Sequence, residues 1–502
     1  MWHGLLLPAL AGLTLAGVPD QDPNDTNLDG CYPVAPSNGG GELKVLRTAQ
    51  TPNGFHRAAR GWNSWGIEAN PATTPSYKGF NQEFTMSQCS VLAERPFVEA
   101  GYNLCSLDAG WSVADTDDFG RITYNHSAFD LPKLGRFLHS KGLQMGIYVI
   151  PGAPCTSINK TVMGTNLTLG DIMNENNDGV PPNPYCDFDY SNPATQIWHD
   201  SLLDLWASWG VDMIKLDFIT PGSIQNGATL PANNSGAAVA FHRAIQNSGR
   251  KIRLDLSWKL CRNDTYYDIW RSTAETLRTD QDINFSGTDT LLQWWPVQRE
   301  IENYRQYISL QVDKDQPLTM YPDMDNLYIG NDPQISGVSN EQRITVMSHW
   351  IGAAANLITG ADMTNLDDLG RKLFTSRESI EASDFCSRHP MQPRNPGTGD
   401  NLAKQLQGWI AGPDEFGRAY ALLTNLGPNL AGAAGYNSML NGTQKVSLSL
   451  KDLGLKGACY RASDVWFGHQ RTVVRGYGLA ADLDEGESQF LRLDPCFPWL
   501  SS

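Results

Sequence analysis

Eight short apolar segments alternate with helical patterns between residues 45 and 375. The strand candidates are Ala58–Trp65, Asn103–Asp108, Gln144–Ile150, Asp212–Asp217, Ile252–Ser257, Thr276–Asp280, Leu318–Tyr321 and Asn356–Thr359. The clearest helical pattern covers Gln196–Trp209, and weaker ones cover Met86–Ala100, Leu134–Ser140 and Asn340–Ala355. Eight strand–helix alternations predict a (β/α)8 TIM barrel. A doubly wound sheet is the alternative, although no Gly-X-Gly-X-X-Gly loop follows the first strand.

The segments on either side of the barrel differ from it in composition. Residues 1–18 are apolar and too short to span a membrane, which predicts a signal peptide, and residues 19–44 form a polar N-terminal extension. Residues 376–401 are rich in Pro, Arg, Ser and Gly and are predicted to be a linker. Residues 402–502 contain short alternating segments, which predict an antiparallel β domain. These segments are Leu406–Ile410, Ala419–Leu423, Gln444–Ser449, Tyr460–Val465 and Gln489–Leu493.

Charge and modification motifs indicate where the protein acts. The net charge of −16 argues against a nucleic-acid partner, which would need a basic surface. After residue 18 no apolar run is long enough to span a bilayer, so no membrane association is expected. Eight Asn-X-Ser/Thr motifs predict a secreted protein that carries N-glycans. They lie at Asn24, Asn125, Asn159, Asn166, Asn233, Asn263, Asn284 and Asn441.

The nine cysteines allow at most four disulfides and leave one thiol. We expect one bridge between Cys155 and Cys186, within one loop, and another between Cys459 and Cys496, in the C-terminal region. No Cys-X-X-Cys or His-X-X-X-His spacing is present, so neither a metal site nor a cofactor is expected.

Carboxylates, tryptophans and two cations follow the predicted strands. They are Trp62 and Trp65 after the first, Asp108 and Trp111 after the second, Lys215 and Asp217 after the fourth, Asp255, Ser257 and Trp258 after the fifth, Arg278, Asp280 and Asp282 after the sixth, Asp323 and Asp325 after the seventh, and Asp362 after the eighth. In a barrel these positions converge on one pocket. Carboxylates bind sugar hydroxyls, indole rings cover apolar sugar faces, and a carboxylate pair can hydrolyse a glycosidic bond. The pattern therefore favours carbohydrate chemistry.

Each residue also has a structural interpretation. Lys215 and Asp217 point to the same side of their strand and would also suit a buried ion pair. Trp111 can be a core residue. Asp108 and Asp362 can cap the helices that follow their strands. The functional interpretation depends on the convergence of the whole set.

Several of these segments resemble glycoside hydrolase family 27, the retaining α-galactosidases, which also includes α-N-acetylgalactosaminidases. The resemblance runs from about Arg60 to Asp362, with a weaker likeness in the C-terminal β domain. It is carried by Gly61–Trp65 (GWNSW), Gly101–Trp111 (GYNLCSLDAGW), Lys141–Tyr148 (KGLQMGIY), Gly210–Asp217 (GVDMIKLD), Arg278–Asp282 (RTDQD), Asp323–Leu327 (DMDNL) and Ile329–Asn331 (IGN).

The resemblance implies a barrel followed by a C-terminal β-sandwich, with Asp217 as nucleophile and Asp282 as acid/base. It also implies that Lys215, Arg278 and Asp108 bind the sugar hydroxyls and that Trp65 forms part of the pocket wall. The other substrate-binding candidates are Trp111, Ser257, Trp258 and Asp325. A secreted exo-α-galactosidase that retains the anomeric configuration is therefore expected.

Three positions depart from the family pattern. Two adjacent acids usually follow the second strand, whereas this chain has Asp108 and Ala109. Galactosidases carry a glutamate at the position of Ser257; the N-acetylgalactosaminidases carry serine with a small residue three positions on, where this chain has Leu260. The family's cysteine two residues after the nucleophile is Ile219 here. An α-N-acetylgalactosaminide, an α-glucoside such as an isomaltose unit, or a β-L-arabinopyranoside remain alternative substrates, and a non-catalytic carbohydrate-binding protein is the alternative of another class.

The sixth strand offers two candidate acids. Arg278, Asp280 and Asp282 occupy alternate positions in the sequence. In a straight strand their side chains would therefore all point to the same side, toward the pocket. Asp280 is nearer Arg278 in sequence and is expected to be its ion-pair partner. Asp282 is expected nearer the rim, where the leaving group departs, which agrees with the family pattern.

Overall fold

Eight parallel strands form the inner layer of the first domain of this computed structural model, which describes residues 30–113, 115–174, 185–222, 230–474 and 477–496. The strands are β1 (Arg60–Asn63), β2 (Leu104–Leu107), β3 (Gln144–Val149), β4 (Val211–Leu216), β5 (Arg253–Leu256), β6 (Thr276–Arg278), β7 (Tyr321–Asp323) and β8 (Leu357–Thr359). Each overlaps one predicted segment, because a strand enclosed on both faces is apolar along its length. The predicted signal peptide lies outside the described residues.

The strand order closes the sheet into a barrel. Strands β1 to β7 are neighbours in sequence order, and β8 pairs with β1. At the remaining seam, Asn356 N donates to Pro322 O at 3.2 Å and Leu327 N donates to Ile358 O at 2.7 Å. These bonds join the segment around β7 to β8, and the predicted (β/α)8 barrel is confirmed.

Helices surround the barrel and cover its outer face. They are α1 (Trp65–Ala69), α2 (Gln82–Leu92), α3 (Arg95–Glu99), α4 (Leu131–Ser140), α5 (Pro193–Trp209), α6 (Gly236–Ser248), α7 (Asp264–Thr273), α8 (Trp294–Lys314), α9 (Pro333–Ser336), α10 (Asn340–Ala353), α11 (Asp368–Thr375) and α12 (Arg377–Cys386). Among the described residues, no helix has the length and apolarity that crossing a bilayer requires.

Two helix predictions illustrate how local sequence sets boundaries. Helix α5 begins after Asn192, whose side chain accepts from Ala194 N, and ends at Gly210 with φ 93°. The prediction of a single helix over residues 86–100 is wrong, because α2 ends at Leu92 and α3 begins three residues later, at Arg95. Pro96 lies in the first turn of α3, where the missing N–H costs nothing, so the chain starts a new helix there.

The C-terminal domain is an antiparallel β-sandwich, as the resemblance implies. Its strands are β9 (Leu406–Ala411), β10 (Ala419–Asn425), β11 (Gln444–Leu448), β12 (Cys459–Asp464), β13 (Gln470–Val474), β14 (Leu479–Leu483) and β15 (Glu487–Pro495). One sheet has the order β9-β10-β15-β12-β13, with Gln392–Pro393 on the outer side of β9, and β11 pairs with β14 in the second. Strands β13 and β14 were not among the segments predicted from the sequence.

Side chains of β10 alternate between two cores. Ala421 and Leu423 pack with the second sheet, whereas Tyr420 and Leu422 belong to the core of the barrel domain. The ring of Tyr420 lies 5.0 Å from that of Phe385 in α12. The sandwich therefore docks on the barrel through the other face of its larger sheet.

The prediction of a linker at residues 376–401 is wrong for its first half. Ser376 caps α12 by accepting from Ser379 N, and Ala382 and Phe385 are buried against the barrel. The composition of the whole window hid this amphipathic helix. The domain boundaries at residues 45, 375 and 402 stay predictions.

Disulfides fix the loops and the N-terminal arm. The two predicted bridges, Cys155–Cys186 and Cys459–Cys496, are confirmed. Cys89–Cys105 and Cys31–Cys261 complete the set, and Cys386 is the remaining thiol. One predicted glycan site is incompatible with the fold, because the side-chain nitrogen of Asn284 is buried and donates to Asn70 and Leu291.

Candidate active site

The C-terminal ends of β2, β4 and β6 bring charged side chains to one end of the barrel. Asp108 follows the last residue of β2, Asp217 follows the last residue of β4, and Arg278 ends β6. Asp217 N donates to Val149 O at 2.8 Å, which continues the sheet beyond β4 and fixes its backbone. The convergence that the sequence analysis predicted is therefore present.

Asp108 and Lys215 form a buried ion pair on one side of the site. Asp108 Oδ2 lies 2.9 Å from Lys215 Nζ and accepts from Asn63 Nδ2 at 3.0 Å. Burial opposes the charged form of Lys215, but the charges of Asp108 and Asp217 outweigh it and raise its pKa. Lys215 is thus a fixed cation between two carboxylates.

Arg278 organises the opposite side. Its Nη2 lies 2.7 Å from Asp282 Oδ1 and 3.0 Å from Asp325 Oδ2, and its Nη1 donates to Ser257 Oγ at 3.1 Å. Burial alone would lower the pKa of Arg278, yet the surrounding carboxylates, Asp325 and Asp323 first, raise it well above its usual value. The guanidinium is therefore held rigidly in place.

The ion-pair assignment made for strand six is wrong. Arg278 pairs with Asp282, whereas Asp280 is 1% exposed and pairs with Arg299 Nε at 2.5 Å. The physical reason is that β6 ends at Arg278, so the alternation of side chains between the two faces of a strand no longer applies to the residues after it. Asp280 faces α8 and is excluded as a pocket residue, while Arg299 Nη2 donates to Asp282 O at 3.0 Å and holds that loop.

Asp282 keeps a raised pKa despite its cationic neighbour. Its side chain is 52% exposed toward solvent. The surrounding protein nevertheless raises its pKa to about 6, chiefly through burial; Arg278 opposes this shift, while Asp325 and Asp217 add to it. Such a group can stay protonated in mildly acidic solution.

The aromatic candidates divide between the pocket and the core. Trp65 is half-buried at the start of α1, and Trp258, with φ 82°, packs its ring 4.4 Å from Phe218. Trp111 was predicted to bind substrate, but it is 1% exposed and donates from Nε1 to Tyr148 O. Its indole packs against Trp206 in the core, so the structural interpretation is correct for Trp111.

The two suspected helix caps behave differently. Asp362 Oδ1 accepts from Thr364 N at 3.0 Å and so caps the short helix Met363–Asn365. The helix after β2 begins at Leu131 and is capped by Asp130. Asp108 does not cap this helix and instead forms an ion pair with Lys215. Asp108 is therefore a site residue in position, and Asp362 is a cap.

Three residues of the site were missed. Asn63 links Asp108 to the seventh-strand loop, because its Oδ1 accepts from Asn326 Nδ2 at 3.2 Å. Tyr148 stands opposite Lys215 in the β3–β4 pairing, and strand parity could have found it. Glu68 is a buried carboxyl in α1 near Asp108. A glutamate in a helix of five residues gives no sequence signal for such a place.

The sequence matches a known family model, "Alpha galactosidase A", over residues 59–172 and 190–384. Alpha-galactosidase 3 of Hypocrea jecorina is 51% identical over 479 residues, which cover 93% of this chain and 76% of that protein. The chain belongs to the α-galactosidase A family. A relative called putative alpha-galactosidase 8, from Emericella nidulans, is 49% identical over 418 residues, 82% of each chain.

The fold is also similar to solved members of glycoside hydrolase family 27. A variant of the β-L-arabinopyranosidase from Geobacillus stearothermophilus, in complex with arabinose, superposes with a TM-score of 0.72 at 20% identity, over 88% of this chain and 98% of that one. At this identity the likeness shows the fold alone. The family match and the 51% identical relative show that the chain is a glycoside hydrolase of the α-galactosidase type.

Proposed function

We propose that this α-galactosidase family member is a secreted exo-glycosidase that releases terminal α-D-galactosyl residues with retention, with Asp217 as nucleophile and Asp282 as acid/base. The proposal is supported by the position of Asp217 directly after β4, where its charge acts on both Lys215 and Asp282, a carboxyl whose pKa is raised. Double displacement at a glycosidic bond requires two carboxyl groups, one that attacks as nucleophile and one that carries a proton to the leaving group.

In the first step an Asp217 oxygen attacks C1 of the galactosyl residue. A C1–O ester bond to Asp217 forms as the glycosidic C1–O bond breaks, and the proton of Asp282 passes to the departing oxygen. Lys215, whose pKa is raised by the charges of Asp108 and Asp217 against the effect of burial, supplies positive charge next to the nucleophile.

In the second step Asp282, now a carboxylate, takes a proton from water. The water oxygen bonds to C1, the ester bond to Asp217 breaks, and both carboxyl groups regain their starting protonation states. Two inversions at C1 give net retention. In this scheme Asp108, Lys215 and Arg278 hold the sugar hydroxyls, Trp65 and Trp258 border the pocket, and Ser257 and Asp325 position Arg278.

A different glycone is the second candidate. Ser257 replaces a glutamate and its hydroxyl is already engaged by Arg278 at 3.1 Å, so recognition at the 2-position differs from the galactosidase pattern. Secretion is supported by the four disulfides of the described residues, which form in oxidising compartments.

The test is hydrolysis of p-nitrophenyl α-galactoside, α-N-acetylgalactosaminide, α-glucoside and β-L-arabinopyranoside by the purified secreted protein. The proposal requires the highest kcat/KM on the α-galactoside. A higher value on any of the other three would overturn the sugar assignment, and a product of inverted configuration, detected by NMR early in the reaction, would overturn the mechanism.

A further inference from the structure

The N-terminal arm (residues 30–44) is covalently attached to the loop that follows β5. Cys31 in the arm forms a disulfide with Cys261 in that loop. Beside this bridge, Tyr32 Oη donates to Lys259 O at 3.1 Å, and Lys259 Nζ lies 4.6 Å from the centroid of the Tyr32 ring. A disulfide, a hydrogen bond and a cation–π contact therefore fix the β5 loop to the arm.

The β5 loop in turn pairs with the segment that follows β4. Cys261 N donates to Pro221 O at 3.0 Å, and Gly222 and Leu260 form an antiparallel bridge. A Cβ atom at Gly222 would lie 2.5 Å from Lys259 O, so this close approach of the two backbones requires glycine. The two loops therefore move together, and the arm restrains both.

Two aromatic residues connect these loops to Asp217. The ring of Trp258, in the β5 loop, lies 4.4 Å from the ring of Phe218, and the Phe218 N–H donates to Asp217 Oδ1 at 2.9 Å. Phe218 has φ 56° and Trp258 has φ 82°, a left-handed conformation that bulky residues keep only where their surroundings enforce it. The orientation of the Asp217 carboxylate therefore depends on how firmly this aromatic pair is held.

We propose that the N-terminal arm positions Asp217 for attack on the sugar. Cys31 and Tyr32 hold the β5 loop, Trp258 in that loop holds Phe218, and the Phe218 N–H orients the carboxylate. Tyr32 is thus a positioning residue that acts through two other side chains. The assignment rests on the proposed role of Asp217 as nucleophile.

The test is a double-mutant cycle between Tyr32→Ala and Trp258→Ala, with p-nitrophenyl α-galactoside as substrate. Misplacing a reacting group by about 1 Å can lower the rate by about a hundredfold. We therefore expect Tyr32→Ala alone to lower kcat/KM by about tenfold to a hundredfold. In the Trp258→Ala background, the same substitution should lower kcat/KM by less than about threefold, because the connection to Phe218 is already lost.

Glu42→Ala is the matched control, because it removes an exposed ion pair between the arm and Lys456, at 2.8 Å, without altering a contact of Tyr32. It should leave kcat/KM unchanged in both backgrounds. An equal loss from Tyr32→Ala in both backgrounds, or no loss in either, would overturn the proposal, because general destabilisation does not depend on Trp258. If Tyr32→Ala does not fold, Tyr32→Phe removes only the hydrogen bond to Lys259 O, and the same comparison of backgrounds decides.

A second measurement separates the role of the arm from the proposed reaction. In protein labelled with 5-fluorotryptophan, the ¹⁹F resonance of Trp258 is the one that disappears in Trp258→Phe. We expect this resonance to shift in Tyr32→Ala and to keep its position in Glu42→Ala, and an unchanged resonance in Tyr32→Ala would overturn the proposal. A wild type that does not hydrolyse the galactoside would overturn the proposed function, and the resonance would then still decide whether the arm fixes Trp258.

Discussion

Replacing Asp282 by alanine removes the group that would protonate the leaving oxygen. General acid catalysis typically contributes about 10²–10⁴ in rate. An α-galactosyl disaccharide has a poor leaving group, so we expect kcat/KM of Asp282→Ala on it to fall by about a thousandfold. The 2,4-dinitrophenyl α-galactoside needs no proton to depart, and its glycosylation rate should stay within about tenfold of wild type.

The raised pKa of Asp282 gives this prediction a pH signature. With its pKa raised to about 6, the Asp282 carboxyl keeps its proton at a higher pH than an ordinary aspartate, whose pKa is near 3.8. Since the acid must carry its proton, kcat/KM of the wild type on the disaccharide should decline as the pH rises through about 6. The decline should be absent from Asp282→Ala acting on the dinitrophenyl substrate.

Asp280→Ala is the internal control, because Asp280 faces Arg299 rather than the pocket. Its substitution should lower activity on both substrates by a similar factor. Rates are measured by stopped-flow release of dinitrophenol and by sugar analysis of the disaccharide digest. If the leaving-group dependence appears in Asp280→Ala and not in Asp282→Ala, the acid has been assigned to the wrong residue.

Three further changes test single contacts. Asp108→Asn removes the charge paired with Lys215 at 2.9 Å, so KM should rise and kcat fall in steady-state assays; unchanged constants would make Asp108 structural. Asp280→Ala leaves the buried Arg299 unpaired and should cost about 3 kcal/mol of unfolding free energy in urea titrations; a cost below about 1 kcal/mol would contradict the ion pair. Trp111→Phe removes the indole hydrogen bond and should lower the free energy of unfolding by about 1 to 2 kcal/mol without changing KM. A raised KM with unchanged stability would instead show that Trp111 contacts the substrate.

The barrel was predictable because its strands have a strong local signature. Asp212–Asp217 was expected and β4 covers Val211–Leu216, since an apolar run followed by a polar residue marks both a buried strand and its end. The sandwich was predicted less completely. Strand β14 (LAADL) has only five residues, two of them alanine, which is not enriched in strands, and it is stabilised by pairing with β11 rather than by its own sequence pattern.

Contacts between distant segments could not be predicted in this way. The bridge from Cys31 to Cys261 spans 230 residues, and no spacing rule reaches that far. Strand parity gave Lys215 and Asp217 correctly but failed for Asp280, because parity applies only while the chain remains a strand. Glu68 was not predicted because its buried position near Asp108 depends on where α1 packs, which contacts between distant segments decide.

Asp217 is proposed to form the covalent bond to the sugar, and the variant Asp217→Ala in the presence of azide tests this role. Without azide this variant should be inactive on every α-galactoside, because the ester intermediate cannot form. Azide can enter the space left by the carboxylate and attack C1 of the dinitrophenyl substrate once. We expect azide to restore dinitrophenol release and to give a β-galactosyl azide product, identified by NMR. Undiminished hydrolysis by Asp217→Ala without azide would show that Asp217 is not the nucleophile.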